Sequence, residues 1–420
     1  MDFFHYKNGE LHAENVALAQ LAEEIGTPFY CYSAQTLRHH YQVFSQSVGE
    51  KAKICFAVKS NSNLAVLKIL AAEGCGADVV SEGEIRLALA AGIAPENIVF
   101  SGVGKTKREM EFALEQNIFQ FNLESLPELE ALSATAQKLG KEARIVFRVN
   151  PDVDAGTHAK ISTGKKENKF GVSMEDAPNY YARAAQLPNI RVQGISVHIG
   201  SQLTSLEPFR HAFERVKKLA LSLRAAGHKI DVLDLGGGLG IPYKHGQLPP
   251  SPAEYGQIVQ ETMGDMDCSL VFEPGRLIAG NAGVLVTKVI YIKQASNDDK
   301  KFVIVDAAMN DLIRPSLYDA WHDIVPVKEM PTSSYEIADV VGPVCETGDT
   351  FAADRDVPPV QADDLLVFRS AGAYGAVMGS TYNARPLAPE ILVDGDKYAV
   401  VRKRASYEEM LAVYNLPDWL

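Results

Sequence analysis

The 420-residue sequence has no apolar run approaching membrane-spanning length. Its opening residues, Met1-Asp2-Phe3-Phe4-His5, show no basic stretch followed by an apolar one, so no secretory signal is expected. Blocks of like charge are missing, and the net charge is −12, which argues against nucleic acid or an anionic membrane as partner. Cysteine is scarce: the five residues Cys31, Cys55, Cys75, Cys268 and Cys345 are an odd number without tight spacing. That pattern argues against a disulfide framework and a structural zinc site, and no metal is expected. There is no internal repeat, low-complexity stretch or long linker. A cytoplasmic protein is expected.

Several common motifs are also absent. Gly104-Lys105-Thr106 looks like the end of a P-loop, but the first glycine would fall on Val99. Gly236-Gly237-Gly238-Leu239-Gly240 is not a dinucleotide fingerprint, because its last position is Ile241. Neither H-E-x-x-H nor G-x-S-x-G occurs.

What is present is a regular alternation from about residue 50. Eight β-rich runs stand out: Ile54–Lys59, Gly76–Val80, Ile98–Gly102, Phe119–Leu123, Ala143–Asn150, Arg191–Ile199, Val232–Gly237 and Leu270–Gly275. Amphipathic helical patterns lie between them, among them Leu64–Ala72, Glu82–Ala91, Lys107–Gln116 and Pro208–Ala226. Gly74, Gly92, Gly140 and Gly227 stand where helices end. Eight βα units predict an α/β fold, a (β/α)8 TIM barrel over 35–280. An open doubly wound sheet usually has fewer strands and one ligand-binding switch point. After residue 280 the pattern becomes strand-rich, with Gly283–Ala295, Lys301–Ala308, Tyr335–Val344, Asp364–Ser370 and Glu390–Arg404, then a helical stretch Ser406–Tyr414. A second, β-rich domain of 1–34 plus 281–420 is predicted, sandwich- or barrel-like.

Barrel active sites form at the C-terminal ends of the strands, so those ends carry the chemistry. Lys59 closes the first run; desolvation there would favour a neutral amine nucleophile. Taken singly, it reads more readily as a lysine snorkelling out of a strand end. His198 ends the sixth run and is suited to lie on an aromatic ring or move a proton, although a packed histidine is the commoner case. Gly236-Gly237-Gly238 ends the seventh run and offers backbone N–H groups to an anion, where barrels often bind phosphate. Glu273-Pro274-Gly275-Arg276 ends the eighth. A carboxylate there can keep a pyridine nitrogen protonated, and the arginine can bind an acid, unless both are surface ion pairs. An amine, a phosphate cradle, a ring partner and an acid partner at one barrel mouth are the parts of a pyridoxal-phosphate site.

This combination resembles the alanine-racemase-like, barrel-plus-β-domain class of pyridoxal-phosphate enzymes, and within it the diaminopimelate decarboxylases. The resemblance spans nearly the whole chain. It rests on Phe56–Asn61, His198–Gln202, Gly236–Gly240, Glu273–Arg276, Arg314–Tyr318, Gly342–Thr347 and Gly372–Gly375. It implies that Lys59 holds pyridoxal 5′-phosphate as an internal aldimine and that His198 stacks on its ring. Gly238 and the backbone of Glu273, Pro274, Gly275 and Arg276 would contact the phosphate, with Glu273 at the ring nitrogen. Arg276, Arg314 and Tyr318 would bind substrate carboxylates, Glu346 the distal amine, and Tyr374 cofactor and substrate. Cys345 would donate a proton from the partner subunit of a homodimer. The loop Asp152–Phe170 also looks familial.

The implied reaction is decarboxylation of meso-diaminopimelate, through an external aldimine, to L-lysine and carbon dioxide, the last step of lysine biosynthesis. An arginine pair suits a substrate that keeps one carboxylate, whereas an ornithine, arginine or polyamine-precursor decarboxylase would want an acidic pocket end. A racemase needs a base opposite the lysine, typically tyrosine, where Cys345-Glu346 stands. A non-catalytic cofactor carrier lacks the long β-rich region, and a Schiff-base aldolase needs neither ring partner nor phosphate cradle.

Overall fold

A computed structural model describes residues 2–49, 51–154, 169–294 and 300–420. They fall into two units, one of 37–242 with 248–278, the other of 1–36, 243–247 and 279–420. Part of the loop Asp152–Phe170 lies outside the described residues.

In the first unit all eight predicted runs form strands. They are Lys53–Ala57, Gly76–Val79, Ile98–Phe100, Gln120–Leu123, Ala143–Asn150, Ile190–Val197, Val232–Asp234 and Ser269–Phe272. Each lies parallel to the next, and Phe272 of the eighth pairs back with Ile54 of the first, which closes the barrel. Most are shorter than predicted at their C-terminal ends, where the chain turns before the polar residues. Lys59 therefore sits in a 3₁₀ turn, Val58–Ser60, and not on the strand itself.

The helices Leu64–Ala72, Glu82–Ala91 and Lys107–Gln116 have the predicted bounds, and the fourth runs Glu207–Ala225. Local chemistry explains where they start and stop. Thr106 and Glu109 form a capping box, and Ser81 accepts a hydrogen bond from Glu84 N–H. Gly92 and Gly140 end their helices at φ +91° and +62°, a left-handed turn that glycine makes without strain.

Inside the ring, Cys55, Val99, Val232 and Val271 form an apolar layer. Beside it lies a polar cluster of Gln120, Asn122, Gln193, Ser196 and Asp234, all buried. The sixth strand carries a bulge at Val192/Gly194, and a Cβ on Gly194 would lie 1.9 Å from Val232 O, so only glycine fits.

The second unit is built on a sheet ordered Thr350–Val357, Glu336–Val341, Lys301–Val305, Gly283–Gln294, Phe29–Ser33, Glu390–Asp394, Lys397–Arg402. Leu365–Phe368 pairs with Gly283–Gln294, and Ile324–Pro326 pairs with Leu365–Phe368. The predicted strand Glu390–Arg404 is in fact a hairpin, reversed at Gly395 with φ +67°. The strands Ile324–Pro326 and Thr350–Val357 and a small sheet of Phe4–Lys7, Glu10–Ala13 and Val16–Ala17 were not predicted. The terminal helix is shorter than expected, Tyr407–Leu411.

Every residue of Phe29–Ser33 is buried. Phe29 and Cys31 pack with Leu18, Leu21, Val284, Val286, Val367, Ile391 and Val393 into one core. Truncating one of these, such as Leu21→Ala, is expected to cost about 2–5 kcal/mol. Among the described residues no helix is long and apolar enough to cross a membrane.

Candidate active site

At the mouth of the barrel Lys59 Nζ donates to Asp78 Oδ2 at 2.8 Å. The lysine side chain is 41% exposed and the aspartate fully buried. The expected desolvated amine is instead an ion pair at the edge of solvent, because strand two places a carboxylate beneath it. Asp78 was not foreseen. Its signal was a lone acid in the otherwise apolar strand Gly76-Ala77-Asp78-Val79. Its second oxygen, Oδ1, is buried without a hydrogen-bond partner.

His198 follows the sixth strand and is half-buried. Its Nδ1 accepts from Gly237 N–H at 3.3 Å, so any ring proton of the neutral form sits on Nε2. Burial, with the charges of Arg148 and Lys59 nearby, holds its pKa well below the usual imidazole value. The ring is thus a neutral plate. Arg148, another residue missed by sequence, donates to His198 O at 3.3 Å and pairs with the buried Glu124.

Close packing also requires the glycine run. A Cβ on Gly236, Gly237 or Gly238 would lie 2.4, 2.3 or 2.4 Å from Val197 O, Glu273 O or Gly200 O. The chain must thread between the ends of strands six and eight, and only glycine passes. This loop is stitched to its neighbour by Leu203 N–H to Gly238 O and Gly240 N–H to Leu203 O, each 2.9 Å.

Glu273 is buried and hydrogen-bonded to Asp234. Burial raises both carboxyls, Asp234 to about 6, and for Glu273 the anions Asp234 and Asp78 add to the effect. Asn122 Nδ2 bridges them, at 3.0 Å from Asp234 Oδ2 and 3.1 Å from Glu273 Oε1. Arg276 is buried, and its Nε and Nη2 reach Ser201 Oγ at 3.2 and 2.9 Å. Gly275 lies so close to the first strand that its Cβ would be 2.9 Å from Ser60 Oγ.

Lys59, His198, Gly238, Glu273, Pro274, Gly275 and Arg276 thus all belong to the barrel unit, at the ends of strands one, six, seven and eight. These groups fit a phosphorylated pyridine aldehyde: an amine, a flat neutral imidazole, a buried acid that can hold a proton, and a buried carboxylate oxygen still able to accept one.

The remaining predicted residues belong to the second unit. Arg314 is buried at the start of the short helix Arg314–Tyr318. Its Nη1 is 2.8 Å from His322 Nε2, and His322 Nδ1 is 2.8 Å from Arg369 O. The carbonyl only accepts, so Nδ1 donates and Nε2 accepts from the guanidinium. The Tyr243 ring also packs on that guanidinium, 4.5 Å from ring centroid to Cζ, and meets the His322 ring edge to face at 5.4 Å. Tyr318 is half-buried.

Cys345 and Glu346 are exposed on a loop that Asp349 pins down. The Asp349 carboxylate accepts from Met309 N–H at 2.6 Å and Val344 N–H at 2.7 Å. Asn383 Oδ1 accepts from Cys345 N–H at 3.1 Å, and the Tyr382 hydroxyl bonds to Glu346. Tyr374 is half-buried at φ +55°, a conformation that costs a tyrosine energy and is characteristic of functional sites.

Residues 15–280 match the family model of the pyridoxal-dependent decarboxylase, pyridoxal binding domain. Over its full length the chain is 51% identical to a diaminopimelate decarboxylase of Vibrio cholerae, covering 100% of both chains. It is also similar to the crystal structure of diaminopimelate decarboxylase from Helicobacter pylori complexed with L-lysine. There the TM-score is 0.90 and the identity 42%, over 94% of this chain and 98% of that one. A diaminopimelate decarboxylase from M. jannaschii in co-complex with L-lysine matches with a TM-score of 0.94 at 35% identity, over 100% and 99% of the two chains. With a family model over more than half its length and relatives matched from end to end, the chain belongs to the diaminopimelate decarboxylases, within the pyridoxal-dependent decarboxylase family.

Proposed function

We infer that this chain is a pyridoxal-phosphate-dependent carboxy-lyase that converts meso-diaminopimelate to L-lysine and carbon dioxide, the closing reaction of lysine formation. The observation that carries the reading is the barrel mouth, where Lys59, the neutral His198 and the buried Glu273 stand at the ends of strands one, six and eight.

Bound through its aldehyde to Lys59, the cofactor supplies an electron sink for the charge left when carbon dioxide departs. The chain's own residues do the rest. Lys59 is the amine that would hold the cofactor, with Asp78 orienting Nζ. His198 would face the ring and, being neutral, would add no competing charge. Glu273 holds a proton for the ring nitrogen. Gly238 and the backbone of 273–276 would hold the phosphate.

The substrate carries two carboxylates and two ammonium groups, and one carboxylate survives. Arg276, fixed by Ser201, and Arg314, fixed by His322, would supply the cations, and Tyr318 a hydroxyl for the same carboxylates. Glu346 suits the distal ammonium and Tyr374 the substrate near the cofactor. Cys345 protonates the former α-carbon. Its exposure on a pinned loop suits delivery into a second copy of the chain, so a homodimer with shared sites is part of the reading. All five cysteines are free thiols, in keeping with a reducing, cytoplasmic setting.

The test is carbon dioxide release with added pyridoxal phosphate, comparing meso-diaminopimelate, ornithine, arginine and lysine. Release from diaminopimelate alone, with lysine formed, is expected. Release from another amino acid would overturn the arginine assignment, and no release from any would overturn the decarboxylase reading.

A further inference from the structure

We propose that Asp234, the anion of a buried acid pair inside the barrel, keeps one proton shared between Glu273 and the cofactor's ring nitrogen, so that ring protonation is set by the Asp234–Glu273 pair and not by Glu273 alone. The proposal rests on the placement of Glu273 at the ring nitrogen.

The geometry starts at the Asp234 carboxylate, which can only accept. Asn122 must therefore turn its nitrogen toward it, 3.0 Å from Asp234 Oδ2, and that nitrogen also lies 3.1 Å from Glu273 Oε1. Its oxygen then faces Gln120, which donates to it at 2.7 Å and to Asp234 Oδ2 at 3.1 Å. Gln120 is left with its oxygen toward Gln193 Nε2, at 2.9 Å. Gly236 N–H completes the set at Asp234 Oδ1, 3.1 Å. The orientations follow from the Asp234 anion, which collects three donors, Asn122 Nδ2, Gln120 Nε2 and Gly236 N–H.

Glu273 is served less well. Asn122 Nδ2 has two hydrogens but also faces Ser101 Oγ at 3.1 Å and Ser196 Oγ at 3.4 Å. Ser101 Oγ itself is 3.5 Å from Glu273 Oε1. Two buried carboxylates in contact cannot both ionise cheaply, so the better-solvated one takes the charge and the other the proton. The surrounding charges are Asp78, which faces both, and Lys59, which acts on Glu273. Cys55 and Tyr255 also border the pair; burial pushes both up, so they are neutral.

When the ring nitrogen arrives, the Glu273 O–H bond breaks and a ring N–H bond forms. Glu273 is left as a carboxylate against the new cation, and no proton is drawn from solvent. Asp234 touches neither substrate nor cofactor in this scheme and is a positioning residue.

The experiment uses the apoprotein with 4-deoxypyridoxine 5′-phosphate, a ring analogue without the aldehyde, so that Lys59 chemistry is silent. With the ring nitrogen labelled with nitrogen-15, its magnetic resonance shift reports ring protonation across a pH titration. In Asp234→Asn the midpoint for loss of the ring proton is expected to fall by about one pH unit or more, a tenfold loss in proton affinity. Glu273→Gln should lower it as well. An unchanged midpoint in Asp234→Asn beside a lowered one in Glu273→Gln would overturn the role of Asp234 alone; an unchanged midpoint in Glu273→Gln would remove Glu273 from the ring. Infrared difference spectra of the wild type need no variant: a buried carboxylic-acid band should vanish as the analogue binds, and its absence overturns the proposal.

Discussion

The carboxylate of Asp78 accepts a hydrogen bond from the Lys59 ammonium at 2.8 Å while lying wholly out of solvent. An acid on strand two thereby fixes the position of the amine that follows strand one. Asp78→Asn keeps the shape and removes the charge. The visible cofactor band is expected to form about tenfold more slowly on adding pyridoxal phosphate to this variant, the low end for a hydrogen bond to a charged group at an open site. Stopped-flow absorbance checks this, and an unaltered rate would free Asp78 of the role.

His322 fixes Arg314 through a single tautomer, with Arg369 O on its other nitrogen. His322→Ala leaves the guanidinium charged but loose. KM for diaminopimelate is expected to rise about tenfold with little change in kcat, the pattern of lost uniform binding. Initial rates measure the split; a fall in kcat at constant KM would contradict it.

Asp349 holds the loop of Cys345 and Glu346 by two backbone N–H groups. Asp349→Ala leaves both donors unpaired, a loss of about 1–3 kcal/mol each where buried. Turnover should fall about a hundredfold while cofactor affinity stays unchanged, because the barrel residues are untouched. Cys345→Ala should follow the same split, and full turnover in that variant would remove Cys345 as the proton donor.

Glu84 offers a test by pH. Burial raises its carboxyl to about 6, against hydrogen bonding from Val80 N–H and the Lys59 charge. A raised folded-state value means the native chain binds more protons than the unfolded chain between about pH 4.5 and 6. Stability from this group is therefore full at low pH and lost as pH rises through that window. Glu84→Gln should match the wild type at pH 4 and exceed it at pH 7 by on the order of 2 kcal/mol. Urea unfolding at the two values decides; equal curves at pH 7 would mean that burial costs Glu84 nothing.

Much of the barrel was legible in the sequence because its helices announce their own ends. Thr106 with Glu109, Ser81 before Glu82, and Gly92 and Gly140 at left-handed positions act through local chemistry. The residues at strand ends were legible because they interrupt apolar runs. Asp78, Asn122 and Arg148 were not, since a short strand buried on both faces gives no sign of which side chains meet across the ring. In the second unit, Asp354-Arg355-Asp356 disguised the strand Thr350–Val357 as a loop, and the unbroken alternation of 390–404 hid the Asp394-Gly395 turn. There the decisive pairings are distant in sequence, and local pattern carries no trace of them.

Cys31 pairs with Val284 on one side and Ile391 on the other. During synthesis this early strand emerges before the barrel, yet both of its neighbours are made only after the barrel is complete. The barrel can therefore close co-translationally while a strand destined to be wholly buried waits without a sheet. Between those two moments Phe29–Ser33 is the segment most in need of a chaperone's cover, and slowing the last steps of translation would lengthen its exposure.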